Sequence, residues 1–190
     1  MIQRIFISIK LPDKTKEDLS LIRSGYDLPV NWVPEDNLHI TLLFLGAVNS
    51  ENTPQIIKII EEIVKSYKPF DLIFEKIEYG PDPEIPPRTI CLRGLKNIYF
   101  EKLRKEIDQV LRKQNLYYAP KYSSDIKIHV TLGRVKKWEW ARIEPEDRVP
   151  VNQDVFFEIP VNELLIMESK ISPGKAPKYS VIETIPLNNS

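Results

Sequence analysis

Apolar residues alternate from Ile2 to Leu11, with Ile5, Ile7 and Ile9 on one side and Arg4, Phe6 and Ser8 on the other, which predicts an opening β-strand. Pro12-Asp13 then starts a helix that carries Leu19 and Ile22 and ends at Gly25. Residues 26–37 hold Pro29, Pro34, Asp36 and Asn37 and read as a loop. Trp32 in that loop has two readings, a stacking platform for a nucleobase or an apolar plug over the strand beneath. Alternation resumes from Asn37 to Gly46. Thr53-Pro54 is an N-cap followed by proline at the first helical position, and Ile56, Ile59, Ile60, Ile63 and Tyr67 then recur at helical spacing.

Two further strands are expected, Phe70 to Tyr79 and Arg88 to Leu95, joined by the turn-rich run Gly80-Pro81-Asp82-Pro83-Glu84-Ile85-Pro86-Pro87. Asn97 to Asn115 is the longest helical pattern, with Phe100, Leu103, Ile107, Val110 and Leu111 on one face. A strand from Ile126 to Arg134 follows it. Past Trp138, Trp140 and the proline-spaced stretch at Pro145 and Pro150, closing strands are expected at Val155–Ile159, Val161–Glu168 and Lys178–Leu187. The order of elements predicts an α+β fold with mostly antiparallel sheet. Two similar lobes, each with a helix ahead of one particular strand, face each other across a central cleft. Residues 1–190 are expected to form one bilobal domain.

Both histidines of the chain lie in those particular strands. His39-Ile40-Thr41-Leu42 and His129-Val130-Thr131-Leu132 are two copies of H-x-T-Leu, 90 positions apart. On a strand each His shares a face with its Thr, while Leu38, Ile40 and Leu42, or Ile128, Val130 and Leu132, point into the core. A lone histidine of this kind is an ordinary structural residue; a duplicated one suggests chemistry. An imidazole titrates near neutrality, so a pair flanking one atom supplies a base and an acid in a single turnover. Phosphorus suits them, because in-line displacement needs a base and an acid on opposite sides and hydroxyl donors on the non-bridging oxygens. Arg134, three residues after Thr131, is the candidate cation for phosphate oxygens.

Composition narrows the choice. Lys+Arg and Asp+Glu are equal at 27 each, so no overall field draws the chain to nucleic acid and phosphate recognition must be local. One local source is the stretch Lys121 to Lys137, where Lys121, Lys127, Arg134, Lys136 and Lys137 stand against Asp125 alone. The alternative reading of that stretch is a solvated strand edge whose lysines guard against aggregation. The single Cys91 excludes an intramolecular disulfide and fits a cytoplasmic setting. No run is long enough to span a bilayer, and Met1 to Leu11 lacks the apolar stretch of a signal peptide.

The paired motifs resemble those of the 2H phosphoesterase superfamily, and most closely the RNA 2′,3′-cyclic phosphodiesterases, also called the 2′-5′ RNA ligase family. The resemblance extends over nearly the whole chain: Arg4-Ile5-Phe6, Trp32, Asn37-Leu38, Pro87-Arg88, Arg134, and the closing Glu168-Ser169-Lys170-Ile171 with Gly174 and Tyr179. Gly133 stands where an alanine is common and Ile171 where a leucine is, and neither is expected to matter. The resemblance implies hydrolysis of an RNA-terminal 2′,3′-cyclic phosphate to a 2′-phosphomonoester, without metal or cofactor. Some members also join or cleave 2′-5′ linkages. Carried over by position, His39 and His129 are the acid–base pair, Thr41, Thr131 and Arg134 hold phosphate oxygens, and Phe6 and Tyr179 wall the cleft. Near-symmetry leaves open which histidine is the base. The implied partner is an RNA or oligonucleotide with a cyclic phosphate end, met by a monomer with no membrane attachment.

Three rival readings remain. A zinc hydrolase lacks H-x-x-x-H, C-x-x-C and any acidic residue completing a ligand set on either strand. A non-catalytic RNA- or nucleotide-binding module would not need two proton-transfer groups. A phosphodiesterase for a small nucleotide, such as an ADP-ribose cyclic phosphate or a 2′-5′ oligoadenylate, fits the neutral charge.

Overall fold

The computed structural model describes residues 1–82, 84–118, 127–170 and 177–188. Pro83, Lys121, Asp125, Ile126, Ile171 and Gly174 therefore lie outside the described residues. The strands are β1 (Ile2–Lys10), β2 (Val30–Trp32), β3 (His39–Asn49), β4 (Phe70–Gly80), β5 (Thr89–Gly94), β6 (His129–Val135), β7 (Asn152–Val161), β8 (Glu163–Lys170) and β9 (Lys178–Pro186). The helices are α1 (Asp13–Ser24), α2 (Thr53–Val64), α3 (Ile98–Lys113) and the single turn α4 (Lys137–Trp140).

Among the described residues the strands form one sheet in the order β7-β4-β5-β6-β3-β1-β8-β9, with β2 paired to β6 off that path. Every described pairing is antiparallel. The two H-x-T strands are the inner strands of the two halves, and a single residue pair, Ile40 with Val130, joins them. The sheet therefore has a weakly zipped seam between two lobes of four strands each, one of them extended by β2, and the lobes repeat the same register. In one, Lys10, Ser8 and Phe6 of β1 lie opposite His39, Thr41 and Phe44; in the other, Arg93, Cys91 and Thr89 of β5 lie opposite His129, Thr131 and Arg134.

Amphipathic stripes hold this frame to its helices. Ile56, Ile60 and Ile63 of α2, and Phe100, Leu103, Ile107 and Leu111 of α3, are buried. The two helices pack on each other, α2 also against β9 and α3 also against β3. Asn97 starts α3 by accepting from Tyr99 N at 3.0 Å and Phe100 N at 3.1 Å. Thr53 does not cap α2 as expected. A 3₁₀ turn at Ser50–Asn52 precedes the helix, and the Thr53 hydroxyl instead donates to Gln3 Oε1 on β1 at 3.1 Å.

Two further expectations need correction. The segment read as a loop contains β2, which pairs Val30, Asn31 and Trp32 with Val135, Arg134 and Gly133. Pro29 and Pro34 bracket those three residues and disguise them. The strand expected to end at Ile159 runs on through Pro160 to Val161. β7 lies at the sheet edge, where a missing N–H costs no ladder bond.

Trp32 is half-buried over Gly133, which favours its reading as an apolar plug. A Cβ at Gly133 would meet Trp32 Cε3 at 2.8 Å and run into Val30 Cγ1. Gly133 is thus matched to β2, although the sequence alone made it look interchangeable with alanine. Gly133→Ala is expected to lower unfolding free energy by about 1–3 kcal/mol, the usual cost of overpacking. Denaturant titration checks this, and Val30→Ala in the same chain should recover most of the loss.

Candidate active site

His39 opens β3 and His129 opens β6, side by side at the seam. Because Ile40 and Val130 are antiparallel partners, one step along each strand sets His39 against Thr131 and Thr41 against His129. Ile40, Leu42, Val130 and Leu132 are fully buried on the core face. The two histidines and two threonines are half-buried on the other face. Four polar side chains therefore form a diamond across the seam, histidine diagonal to histidine.

Both rings are held in the same way. His39 Nδ1 lies 2.7 Å from the Asn37 carbonyl oxygen, and His129 Nδ1 lies 2.9 Å from that of Lys127. A carbonyl only accepts, so each Nδ1 carries a proton and donates it, which leaves Nε2 as the nitrogen available to a substrate. Among the described residues neither Thr41 nor Thr131 spends its hydroxyl on a protein partner.

Strict alternation would send Arg134 to the core, since it is an odd number of positions from Thr131. A β-bulge prevents this. The register between β5 and β6 passes from Ile90–Gly133 to Cys91–Thr131 and skips Leu132. The register between β1 and β3 makes the same slip at Leu42, from Ile7–Leu43 to Ser8–Thr41. Each bulge puts two consecutive residues into the core and returns the third residue after the threonine to the cleft face. In one lobe that residue is Arg134, and in the other it is Phe44, 52% exposed. Arg134 has no ion-pair partner among the described residues.

The lobes differ in what surrounds their histidines. The Phe6 ring is 5.0 Å from His39 and 5.1 Å from Tyr179, Tyr179 stands edge-on to His39 at 5.4 Å, and Phe44 reaches Phe6 at 6.0 Å. Phe6 and Tyr179, expected as cleft walls, thus converge on one histidine. This apolar setting disfavours a charged ring and pulls the His39 pKa below its ordinary 6.5; the Asn37 carbonyl opposes the shift, and the nearby His129 reinforces it. Around His129 the surroundings are ionic. Arg93, opposite it on β5, is held by Glu75 and Glu78, each at 3.1 Å.

The basic stretch is largely offset by partners from elsewhere in the chain. Lys127 pairs with Asp82 at 2.6 Å, Lys136 with Glu139 at 3.2 Å and Lys137 with Glu84 at 3.8 Å. Among the described residues of the stretch, what remains of the positive signal is Arg134.

The model of the LigT-like phosphoesterases matches residues 9–91, a span that includes the first motif. An RNA 2′,3′-cyclic phosphodiesterase of Archaeoglobus fulgidus is 29% identical over 180 residues, covering 93% of this chain and 96% of that protein. The protein of the same name from Bacillus subtilis is 30% identical over 156 residues, covering 80% of this chain and 77% of its own length. The chain belongs to the LigT-like phosphoesterase family. The crystal structure of TT0787 of Thermus thermophilus superposes with a TM-score of 0.80 at 25% identity, covering 98% of this chain and 100% of that one. The bilobal α+β architecture read from the sequence is therefore the LigT-like fold.

In this LigT-like phosphoesterase the seam gathers His39, His129, Thr41 and Thr131, with Phe6 and Tyr179 on one flank and Arg134 on the other. Sequence reasoning missed Phe44. Its signal was available in the aligned motifs, where Phe44 and Arg134 each stand five positions after the histidine. Among the described residues no three His, Cys, Asp or Glu side chains gather as a metal-binding set. No described helix is long and apolar enough to cross a membrane.

Proposed function

We propose that the protein opens RNA-terminal 2′,3′-cyclic phosphates, leaving a 2′-phosphomonoester, with His39 and His129 as the paired proton-transfer groups. The observation that carries this reading is the diamond at the seam: two imidazoles with Nδ1 tied to main-chain carbonyls, and two threonines on the same face. A cyclic phosphate seated over the diamond has an Nε2 on either side. One neutral imidazole takes a proton from water as the water oxygen bonds to phosphorus. The other, protonated, gives its proton to the 3′-oxygen as the P–O3′ bond breaks. The phosphate stays on the 2′-oxygen, and the two rings end with their protonation states exchanged. Thr41 and Thr131 donate to the non-bridging oxygens, and the Arg134 guanidinium offsets the charge that builds on them. These groups supply the whole reaction without a metal.

The names of the relatives support the substrate class. The ion pairs of Lys127, Lys136 and Lys137 offset the positive charge beside the cleft, which favours a short RNA end over a long duplex track. We place the protein in the cytoplasm as a monomeric, single-domain enzyme. Joining or cleaving 2′-5′ linkages would use the same groups with a ribose 5′-hydroxyl in place of water.

The test is product analysis. An oligoribonucleotide ending in a 2′,3′-cyclic phosphate, incubated with the protein in EDTA, is expected to be consumed at an undiminished rate and to keep its phosphate on the 2′-hydroxyl. Complete loss of turnover in chelator, or a 3′-phosphate product, would contradict the proposal.

A further inference from the structure

Beside the reacting centre lies a cavity of about 270 Å³ that shares His39 and Tyr179 with it. Its polar lining comes from Ser8 and Lys10 of β1, Lys16 of α1, Asp36, Glu163 of β8 and Thr184 of β9. Ser8 is wholly buried, yet its Oγ has no hydrogen-bond partner among the described residues. A buried hydroxyl without a partner is costly and uncommon. The other lobe shows that the fold does not require it, because the equivalent position opposite Thr131 is Cys91, a small side chain with little demand for a partner.

The cation next to it shows the same asymmetry. Lys10 lies opposite His39 as Arg93 lies opposite His129. Arg93 is occupied by Glu75 and Glu78. Lys10 forms no hydrogen bond or ion pair among the described residues, while Lys16 is bound to Asp13 at 3.0 Å. One lobe thus closes its charges on itself, and the other leaves an exposed ammonium group without an ion-pair partner and a buried hydroxyl unsatisfied, both lining a cavity that adjoins the catalytic ring.

We propose that this cavity is a subsite for a second ribonucleotide, the one joined through a 3′-5′ phosphodiester to the nucleotide carrying the cyclic phosphate. Lys10 meets the linking phosphate. Asp36 and Glu163 accept from ribose hydroxyls, and Ser8 and Thr184 complete the contacts. The volume is near the lower end of small-molecule sites, roughly 300 Å³, which suits one nucleotide unit and no more. The cavity's sharing of His39 and Tyr179 with the reacting centre makes its occupant contiguous with the reacting phosphate. The inference rests on the cyclic-phosphodiesterase reading above and adds that the enzyme senses the residue upstream of the RNA end.

The experiment compares kcat/KM for a 2′,3′-cyclic mononucleotide and for a dinucleotide with the same cyclic end. The wild type is expected to favour the dinucleotide by roughly ten-fold, the scale of one charge-assisted contact. Lys10→Met, at an exposed position, should erase most of that preference while leaving the mononucleotide rate unchanged. Ser8→Ala should also reduce the preference, and because it removes an unpartnered buried hydroxyl it should raise Tm rather than lower it. Equal rates on the two substrates in the wild type, or a preference that survives both substitutions, would overturn the subsite and leave the parent reading intact. Failure to turn over either substrate would overturn both.

Discussion

His39→Ala and His129→Ala are each expected to lower kcat for opening a 2′,3′-cyclic phosphate by about 10²–10⁴-fold, the range of a positioned general acid or base. Binding of a 2′-nucleotide product should persist in both variants, because Thr41, Thr131 and Arg134 remain in place. The losses should not add. Once one ring is gone the in-line transfer has already lost one of its two proton relays, so the double variant should fall little below the worse single one. Wild-type kcat/KM should trace a bell against pH, with limbs set by the two imidazoles. The apolar surroundings that lower the His39 pKa keep that ring neutral to more acid pH than an ordinary histidine, so the limb it sets lies below 6.5. A near-normal rate in either alanine variant would break the assignment of roles.

The second large effect is expected at the threonines. Thr41→Val and Thr131→Val keep the β-branched shape that the strand favours and remove only the hydroxyl. Each should cost about 10²–10³-fold in kcat, as for the loss of one preorganised donor to a developing oxyanion. KM should change much less, since the contact strengthens as charge builds on the non-bridging oxygens. Steady-state kinetics on the cyclic mononucleotide separates the two parameters. A rise in KM at constant kcat would mean that the hydroxyls only bind substrate.

Much of this arrangement could be read from local pattern. Alternation placed β1, β3 and β6, helical spacing placed α2 and α3, and the duplicated motif picked out the four residues of the seam. What escaped was whatever depends on a change of phase or on long-range pairing. At Leu42 the next residue is another leucine, so nothing in residue type marks the extra position, and at Leu132 the following Gly133 was the one local sign. That is why Phe44 went unnoticed and why Arg134, though suspected as the phosphate cation, had no geometric reason in the sequence to face the cleft. β2 was hidden between two prolines, and Pro160 looked like a strand end because its edge position is a property of the assembled sheet.

The asymmetry between the lobes also needed the fold. Only the pairing of β8 with β1 and of β9 with β8 brings Tyr179 and Phe6 together against His39. In the other lobe the neighbours are Glu75, Glu78 and Arg93. A shared skeleton with different linings gives two chemically distinct imidazoles from two nearly identical motifs. For the same reason the sequence could single out the two histidines but not tell them apart.

The most direct test uses the fact that the chain has only two histidines. A two-dimensional imidazole ¹H–¹⁵N spectrum should show two rings, both protonated at Nδ1. Addition of a 2′-nucleotide should shift both Nε2 signals together, with one and the same Kd. If one ring responds while the other stays fixed, or if the two titrate with different Kd values, the histidines do not share a phosphate and the account fails.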